Sequence, residues 1–329
     1  MKYVVTGATG HIGNNLVRFL LAQNEKVIVL ARRQEDKALA GLDIDIKVGS
    51  LFDESFLETN IDAETIVIHA AGVIDITGRN NKQVYEVNVE ATKKIVDVSL
   101  KKQVIKFVYI GSVDACYKDS KDGLIKEPDY FDVQHLRGAD AKSKALAGNY
   151  VLDKIKNNGL NGVVILPSAV IGPNDFKISS VGQAVLSCIK NEPMAIIKGG
   201  YNFIDVRDLS YAIYQSSIKK TDLVYFVTGY DMTVEELIKA IYDHLQKDKL
   251  PPHIPLGLVK IGAVFMPLIY QIKHEKPVFT LKALKTLNEN HNYDNSKAKK
   301  DLTLTVRNPK ESVNDLIDWF IEKGYHLQK

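Results

Sequence analysis

The first chemistry in the chain lies in Thr6-Gly7-Ala8-Thr9-Gly10-His11-Ile12-Gly13. This stretch follows the short apolar run Lys2-Tyr3-Val4-Val5 and precedes Leu16, Val17, Leu20 and Leu21, which recur at helical spacing. A buried strand therefore feeds a glycine-rich turn, and the turn opens a helix. A helix start offers free backbone N–H groups and a partial positive charge, so it can hold a phosphate. Gly7 allows the tight turn, Gly10 lets the backbone approach a pyrophosphate, and Gly13 lets the helix pack on the sheet. The spacing G-x-x-G-x-x-G is one residue longer than the G-x-G-x-x-G dinucleotide fingerprint.

Arg32 and Arg33 are the next informative residues. A site for NAD places an acid roughly 20 residues after the glycines, where it bonds the ribose 2′-hydroxyl. Leu30-Ala31-Arg32-Arg33 offers no acid and two guanidinium groups, and a guanidinium can grip a 2′-phosphate bidentately. The expected cofactor is NADP(H) in preference to NAD(H).

These residues need a scaffold, and the first half of the chain alternates strand and helix. Val27–Leu30, Ile44–Val48, Thr65–His69, Phe107–Ile110 and Val163–Leu166 read as strands after the first one. Helices are expected over about 82–101 and 139–156. Short continuous apolar strands separated by helices mean a parallel sheet covered on both faces, with ligands at the carboxyl ends of the strands. After Pro167 the pattern breaks: Gly172-Pro173 and Gly199-Gly200 are loop signals, 203–206 and 224–227 read as short strands, and Thr233-Val234-Glu235-Glu236 reads as a capped helix start. The expected fold class is α/β, a Rossmann-type doubly wound parallel sheet with a smaller, mostly helical C-terminal substrate lobe. Residues 1–170 form the dinucleotide-binding domain, with 203–228 returning to it; 171–202 and 229–329 form the lobe.

The chain has 329 residues, 45% hydrophobic and 25% charged, with a net charge of +3. That is ordinary for a globular protein and shows no basic stripe for nucleic acid. Two cysteines imply no disulfide framework, which favours the cytoplasm. The histidines show no metal-ligand spacing, so no metal is expected. The N-terminus starts on a core strand, leaving no room for a signal peptide. The apolar stretch 254–272 contains Pro255, Lys260 and Pro267 and reads as buried or surface-apposed helix rather than a membrane span. Val264, Phe265, Met266 and Leu268 in it hint at a hydrophobic substrate pocket.

By these residues the chain resembles the extended short-chain dehydrogenase/reductase family. The likeness rests on the glycine turn, His69-Ala70-Ala71-Gly72, Val87-Asn88-Val89, Ser112, Ala141-Lys142-Ser143-Lys144-Ala145, and Leu166-Pro167-Ser168 with Gly172-Pro173. The later half is similar to the dihydroflavonol-reductase and NAD-dependent epimerase branch, through Gly199–Asp208 and 276–280. The resemblance implies hydride transfer with a nicotinamide cofactor, and a Ser, Tyr and Lys as the reacting set. Ser112 would orient a carbonyl, and Lys144 would hold the nicotinamide ribose. Thr9, His11, Ile12, Ser50, Leu51, Ala70, Ala71, Gly72, Pro167 and Val170 would join the glycines around the cofactor.

Two positions depart from that family. The Tyr expected four residues before Lys144 is Asp140. A carboxylate beside an ammonium stays ionised and has no proton to give a carbonyl oxygen. Tyr150 and Lys154 repeat the spacing ten residues on, about 15 Å along the helix and on another face. Tyr117 and Tyr130 precede the helix. In the adenine pocket, Ser50 stands where the family usually has Asp. The reading is an NADP(H)-dependent oxidoreductase reducing a ketone or aldehyde of a small organic substrate, impaired by loss of the Tyr. The alternatives are a catalytically silent NADP(H) sensor and a nucleotide-sugar epimerase or dehydratase. Family likeness makes a homodimer plausible.

Overall fold

The computed structural model describes residues 1–73, 81–118, 123–255 and 281–327. The apolar pocket residues expected at 264–268 and the family likeness at 276–280 lie outside the described residues.

Seven parallel strands form the main sheet: β1 (Lys2–Thr6), β2 (Lys26–Ala31), β3 (Asp45–Val48), β4 (Thr65–His69), β5 (Lys106–Ile110), β6 (Gly162–Pro167) and β9 (Val224–Val227), in the order β3-β2-β1-β4-β5-β6-β9. Alternate residues feed two cores. Val4, Val67, Phe107, Val164 and Phe226 face one side, with Ile95 and Val151 from the helices there. Tyr3, Val5, Ile68, Val108, Ile165 and Tyr225 face the other, with Leu16, Leu20, Leu209 and Ile213. Burial on both faces is why the strands read as unbroken apolar runs.

The helices that matter for the site are α1 (His11–Ala22), α2 (Glu54–Asn60), α3 (Asn81–Tyr85), α4 (Ala91–Lys101) and α5 (Ala139–Asn158). The expected continuous helix over 82–101 is interrupted: residues Glu86–Glu90 form a π turn between α3 and α4. A π turn leaves the apolar spacing almost unchanged, so periodicity does not reveal it, and such turns recur at functional sites.

The region after β6 holds a small sheet, β10-β8-β7, built from β7 (Ala169–Ile171), β8 (Gly200–Asp205) and β10 (Tyr230–Thr233). It packs with α6 (Ser180–Ile189), α8 (Val234–His244) and the helix Pro309–Glu322 in a separate core that includes Ile171, Leu186, Phe203, Ile241 and Phe320. Helix α7 (Val206–Ile218) packs on α1, and Ala298, Leu302 and Leu304 rejoin the core of the main sheet. The capping box at Thr233 and Glu236 is present as expected. Among the described residues no helix is long and apolar enough to cross a membrane.

Candidate functional site

The strand order reverses at β1, which lies between β2 and β4 with Thr6 level with Leu30 and His69. This is the switch point where doubly wound sheets open a crevice for ligands. Gly7 follows β1 at φ +73°, and a Cβ there would stand 2.5 Å from the Ala70 carbonyl carbon. A Cβ on Gly13 would run into the Gly7 carbonyl oxygen. The Gly10 N–H donates to Gly7 O at 2.9 Å, closing the turn. Gly10 is the N-cap of α1 and supplies no side-chain cap, whereas the helices after Asp53, Ser179, Asp205, Thr233 and Asn308 are capped by those side chains. The first N–H groups of α1 thus remain for an outside acceptor. An open glycine cradle beside uncapped N–H groups fits a dinucleotide pyrophosphate.

A polar chain ties this cradle to α5. Ala71 N–H donates to Thr6 Oγ1 at 3.2 Å, and Thr6 Oγ1 lies 2.7 Å from His69 Nδ1. His69 Nε2 lies 2.9 Å from Thr92 Oγ1, which donates to Asn88 O at 2.7 Å. The partners assign the tautomer: Nδ1 accepts from Thr6 and Nε2–H donates to Thr92. Burial pushes the His69 pKa down to about 4, so the ring is neutral. Asn88, in the π turn, accepts from Val73 N and donates to Val73 O at 2.8 and 3.0 Å. It also donates to Ser143 Oγ at 3.0 Å, and Ser143 donates to Asp140 O at 2.9 Å. Asn88 therefore fixes the loop after β4 against the start of α5.

Ser112 follows β5 and caps a short 3₁₀ turn, Val113–Ala115, by accepting from Asp114 N at 3.1 Å. That local bond uses a lone pair and leaves the hydroxyl proton for another acceptor. The 3₁₀ turn packs on α5, with Val113 and Ala115 in one core cluster with Ala141 and Ala145. Asp140 lies in the first turn of α5 with its side chain 5% exposed, and Lys144 Nζ lies 3.5 Å from its Oδ1. Tyr109 on β5 is close enough that the Asp140 charge, after burial, raises its pKa.

The other tyrosines are placed elsewhere. Tyr150 donates to Asp97 Oδ1 at 2.6 Å on an exposed surface. Tyr130 lies under Lys156 at the far end of α5, 4.1 Å from the ring centroid, and Tyr117 lies against His135 at 5.1 Å. Arg32 and Arg33 are exposed just past β2. Ser50 Oγ accepts from Phe52 N at 3.2 Å, and Leu51 packs against the main core. Pro167 ends β6, and Val170 lies in β7 at the edge of the α1-side core. Asp205, Arg207 and Asp208 form paired charges: Arg207 bonds Asp205 and Asp315, and Arg307 bonds Asp208.

Two groups of residues escape a reading of the sequence. His11, expected to line the phosphate, places Nε2 3.1 Å from both Gly172 O and Pro173 O. Asn15 donates to Pro173 O and accepts from Asn174, each at 3.0 Å, and Lys177 Nζ donates to Thr9 Oγ1 at 2.6 Å. The loop after β7 is thus laced onto the glycine turn. Asn15, a buried polar residue on the apolar side of α1, is its one trace in sequence. The second group lies beyond Ser112. Lys118 pairs with Glu289 at 3.2 Å and stands over the Tyr293 ring. Tyr293 adjoins His291, and its buried hydroxyl has no hydrogen-bond partner among the described residues. Burial and the Asp114 charge raise the pKa of Tyr201 and of Tyr293, so both remain phenols. About 170 residues of sequence separation hide this group. Among the described residues no cluster of His, Cys, Asp or Glu is placed to hold a metal.

Comparison with known proteins agrees with this geometry. The chain is 27% identical to sterol demethylase protein B of Methylococcus capsulatus, over 98% of this chain and 99% of that one. It is 28% identical to a putative dihydroflavonol 4-reductase of Synechocystis, over 98% and 95%. Among solved structures, UDP-glucuronic acid 4-epimerase from Bacillus cereus in complex with NAD superposes with a TM-score of 0.77 at 16% identity, over 99% and 100% of the two chains. The family model for the NAD dependent epimerase/dehydratase family matches residues 3–220. The chain belongs to the NAD dependent epimerase/dehydratase family.

Proposed function

We propose that this protein is an NADP(H)-dependent oxidoreductase that reduces a ketone or aldehyde on a small organic substrate. The observation that carries the reading is the packing of the Ser112 turn on the start of α5, where Lys144 stands 3.5 Å from Asp140. The full-length likeness to a putative dihydroflavonol 4-reductase supports it over epimerisation.

The bound nicotinamide supplies the hydride. The cradle at Gly7, Gly10 and Gly13, with the N–H groups of His11 and Ile12, would hold the pyrophosphate, together with Ala70–Gly72. Arg32 and Arg33 would hold the 2′-phosphate, Ser50 and Leu51 would border the adenine, and Pro167 and Val170 would border the nicotinamide. Lys144 holds the nicotinamide ribose. Ser112 donates its hydroxyl proton as a hydrogen bond to the carbonyl oxygen, polarising it. Asp140 takes the place of the family's tyrosine, and its carboxylate cannot give a proton. A water held by Asp140 and Lys144 from the side of the ion pair would give its proton to the substrate oxygen as the hydride arrives and regain one from solvent. A missing positioned acid costs about 10²–10⁴ in rate, so turnover is slow. A second reading, a protein that binds NADP(H) without turnover, is favoured by that same buried Asp140.

One preparation tests both readings. NADPH and NADH binding are followed by fluorescence, and NADPH oxidation is followed with a panel of aldehydes and ketones, for the native chain and for Asp140→Tyr. The expected results are NADPH binding at least about tenfold tighter than NADH, slow native turnover, and a gain of about 10² or more in Asp140→Tyr. Tight binding with no native turnover, and a gain in the variant, establishes the binding-only reading. Brisk native turnover that the tyrosine leaves unchanged removes position 140 from the proton path.

A further inference from the structure

The loop after β7 belongs by sequence to the second half of the molecule, yet five hydrogen bonds fasten it to the glycine turn and α1. His11 bonds the carbonyls of Gly172 and Pro173, Asn15 bonds Pro173 and Asn174, and Lys177 bonds Thr9. The last contact differs from the others. A hydroxyl is a modest partner for an ammonium, and Thr9 is the only partner the Lys177 Nζ has among the described residues' hydrogen bonds and ion pairs. The ammonium is nonetheless held over the phosphate turn on the side facing the end of β2. Loss of water lowers its pKa most; the Asp36 carboxylate raises it, and the Arg32 guanidinium lowers it again. Asp36 is itself engaged as the acceptor for Ala38 N–H at 2.9 Å. The ammonium bonded to Thr9 in the glycine turn thus stands within electrostatic reach of Arg32 and Asp36, two cations to one carboxylate.

We propose that Lys177 is a ligand of the cofactor's 2′-phosphate, reaching over from the laced loop to face Arg32 across that group. The inference rests on the NADP(H) preference proposed above and extends it: the preference is set by two segments, one after β2 and one after β7. A 2′-phosphate presents a dianion to the two cations and three acceptor oxygens to their N–H groups. A 2′-hydroxyl presents neither, and leaves Lys177 on Thr9. The lysine therefore discriminates between the two nicotinamides rather than binding both.

The test is equilibrium binding, with no substrate present. NADPH, NADH and adenosine 2′-monophosphate are titrated into the native chain, Lys177→Gln and Lys177→Arg, with a thermal melt of each. In Lys177→Gln, NADPH and adenosine 2′-monophosphate are expected to weaken about tenfold or more, while NADH stays within about twofold. Lys177→Arg, which keeps the charge, is expected to recover most of the NADPH affinity. Equal weakening of NADPH and NADH in the glutamine variant, or no weakening of either, overturns the proposal. Should the native chain bind NADH as tightly as NADPH, the NADP(H) preference itself falls and this inference falls with it. A native preference that survives Lys177→Gln removes Lys177 alone.

Discussion

The glycine cradle and the start of α5 are joined by one chain of hydrogen bonds through His69 and Asn88, but they are built from different parts of the chain. The cradle acts through backbone: its N–H groups and the absence of three Cβ atoms make the site. The start of α5 would act through side chains: Lys144 stands by Asp140, and Ser143 joins Asn88 to the Asp140 carbonyl. A backbone site tolerates almost no change, because a Cβ at Gly7 or Gly13 strikes neighbouring backbone and one at Gly10 stands where a pyrophosphate would approach. A side-chain site can lose its proton donor and keep its shape. Among the described residues, Tyr109, Tyr201 and Tyr293 all have pKa values raised by burial, opposite to the direction an acid working near neutrality requires.

Substitutions within the cradle should separate binding from folding most strongly. A Cβ on Gly10 finds its nearest protein atom at 3.3 Å, so Gly10→Ala should fold while losing about 10² in NADPH affinity, by the approach argument for that glycine. Gly13→Ala, which drives a Cβ into the Gly7 carbonyl, should cost about 1–3 kcal/mol in denaturant unfolding. A folded Gly10→Ala that binds NADPH normally would end the cradle's side of the comparison.

His69 links the two regions, and its effect should be smaller and pH-dependent. Burial lowers its pKa to about 4 in the folded chain, against the ordinary histidine value of 6.5 once the chain unfolds. Below the unfolded value the unfolded chain takes up the proton first, so His69 lowers stability as pH falls from about 6.5 to about 4, by roughly 3 kcal/mol in all. His69→Leu should flatten that slope in urea titrations, while costing about 1–3 kcal/mol near neutrality through the Thr6 hydroxyl proton left without its acceptor. An unchanged slope would mean that the ring titrates normally. The smallest effect belongs to Tyr150→Phe, which removes the Asp97 bond on an exposed surface. Stability should fall by under about 1 kcal/mol, and turnover should not change; a collapse of turnover would move the chemistry to the second Y-x-x-x-K.

What could be read from sequence follows the same division. Thr65–His69 and Val224–Val227 are legible to the residue because both faces of the main sheet are buried and turns bound the apolar runs. The glycine turn is legible because its spacing is local. The small sheet is legible only in part: residues 203–206 read as a strand and fall at the end of β8, whereas β7 is only three residues long and β10 forms no apolar run. The π turn at Glu86–Glu90 escapes because one extra residue in a helix barely shifts its periodicity. Asn88 stands out in sequence as a polar residue inside a helix, but its bonds to Val73 and Ser143 depend on that turn. Lys177 leaves no signal, since a single lysine in a loop resembles any solvated charge until the fold brings it to Thr9.

The paired charges at the start of α7 bear on how the chain is made. Asp205 is fully buried and Asp208 nearly so, and their cationic partners include Arg307, about 100 residues later. Arg207 in turn needs Asp315 on the helix Pro309–Glu322. A buried charge without its partner is strongly unfavourable. During translation, then, all seven strands of the main sheet are available once β9 leaves the ribosome, but its core still lacks Ala298, Leu302 and Leu304, and the junction between α7 and the small sheet has to wait for residues 307–315. The second lobe is the last part to mature, and a chain stopped before residue 307 would expose the Asp205–Asp208 corner to the cell's quality-control machinery.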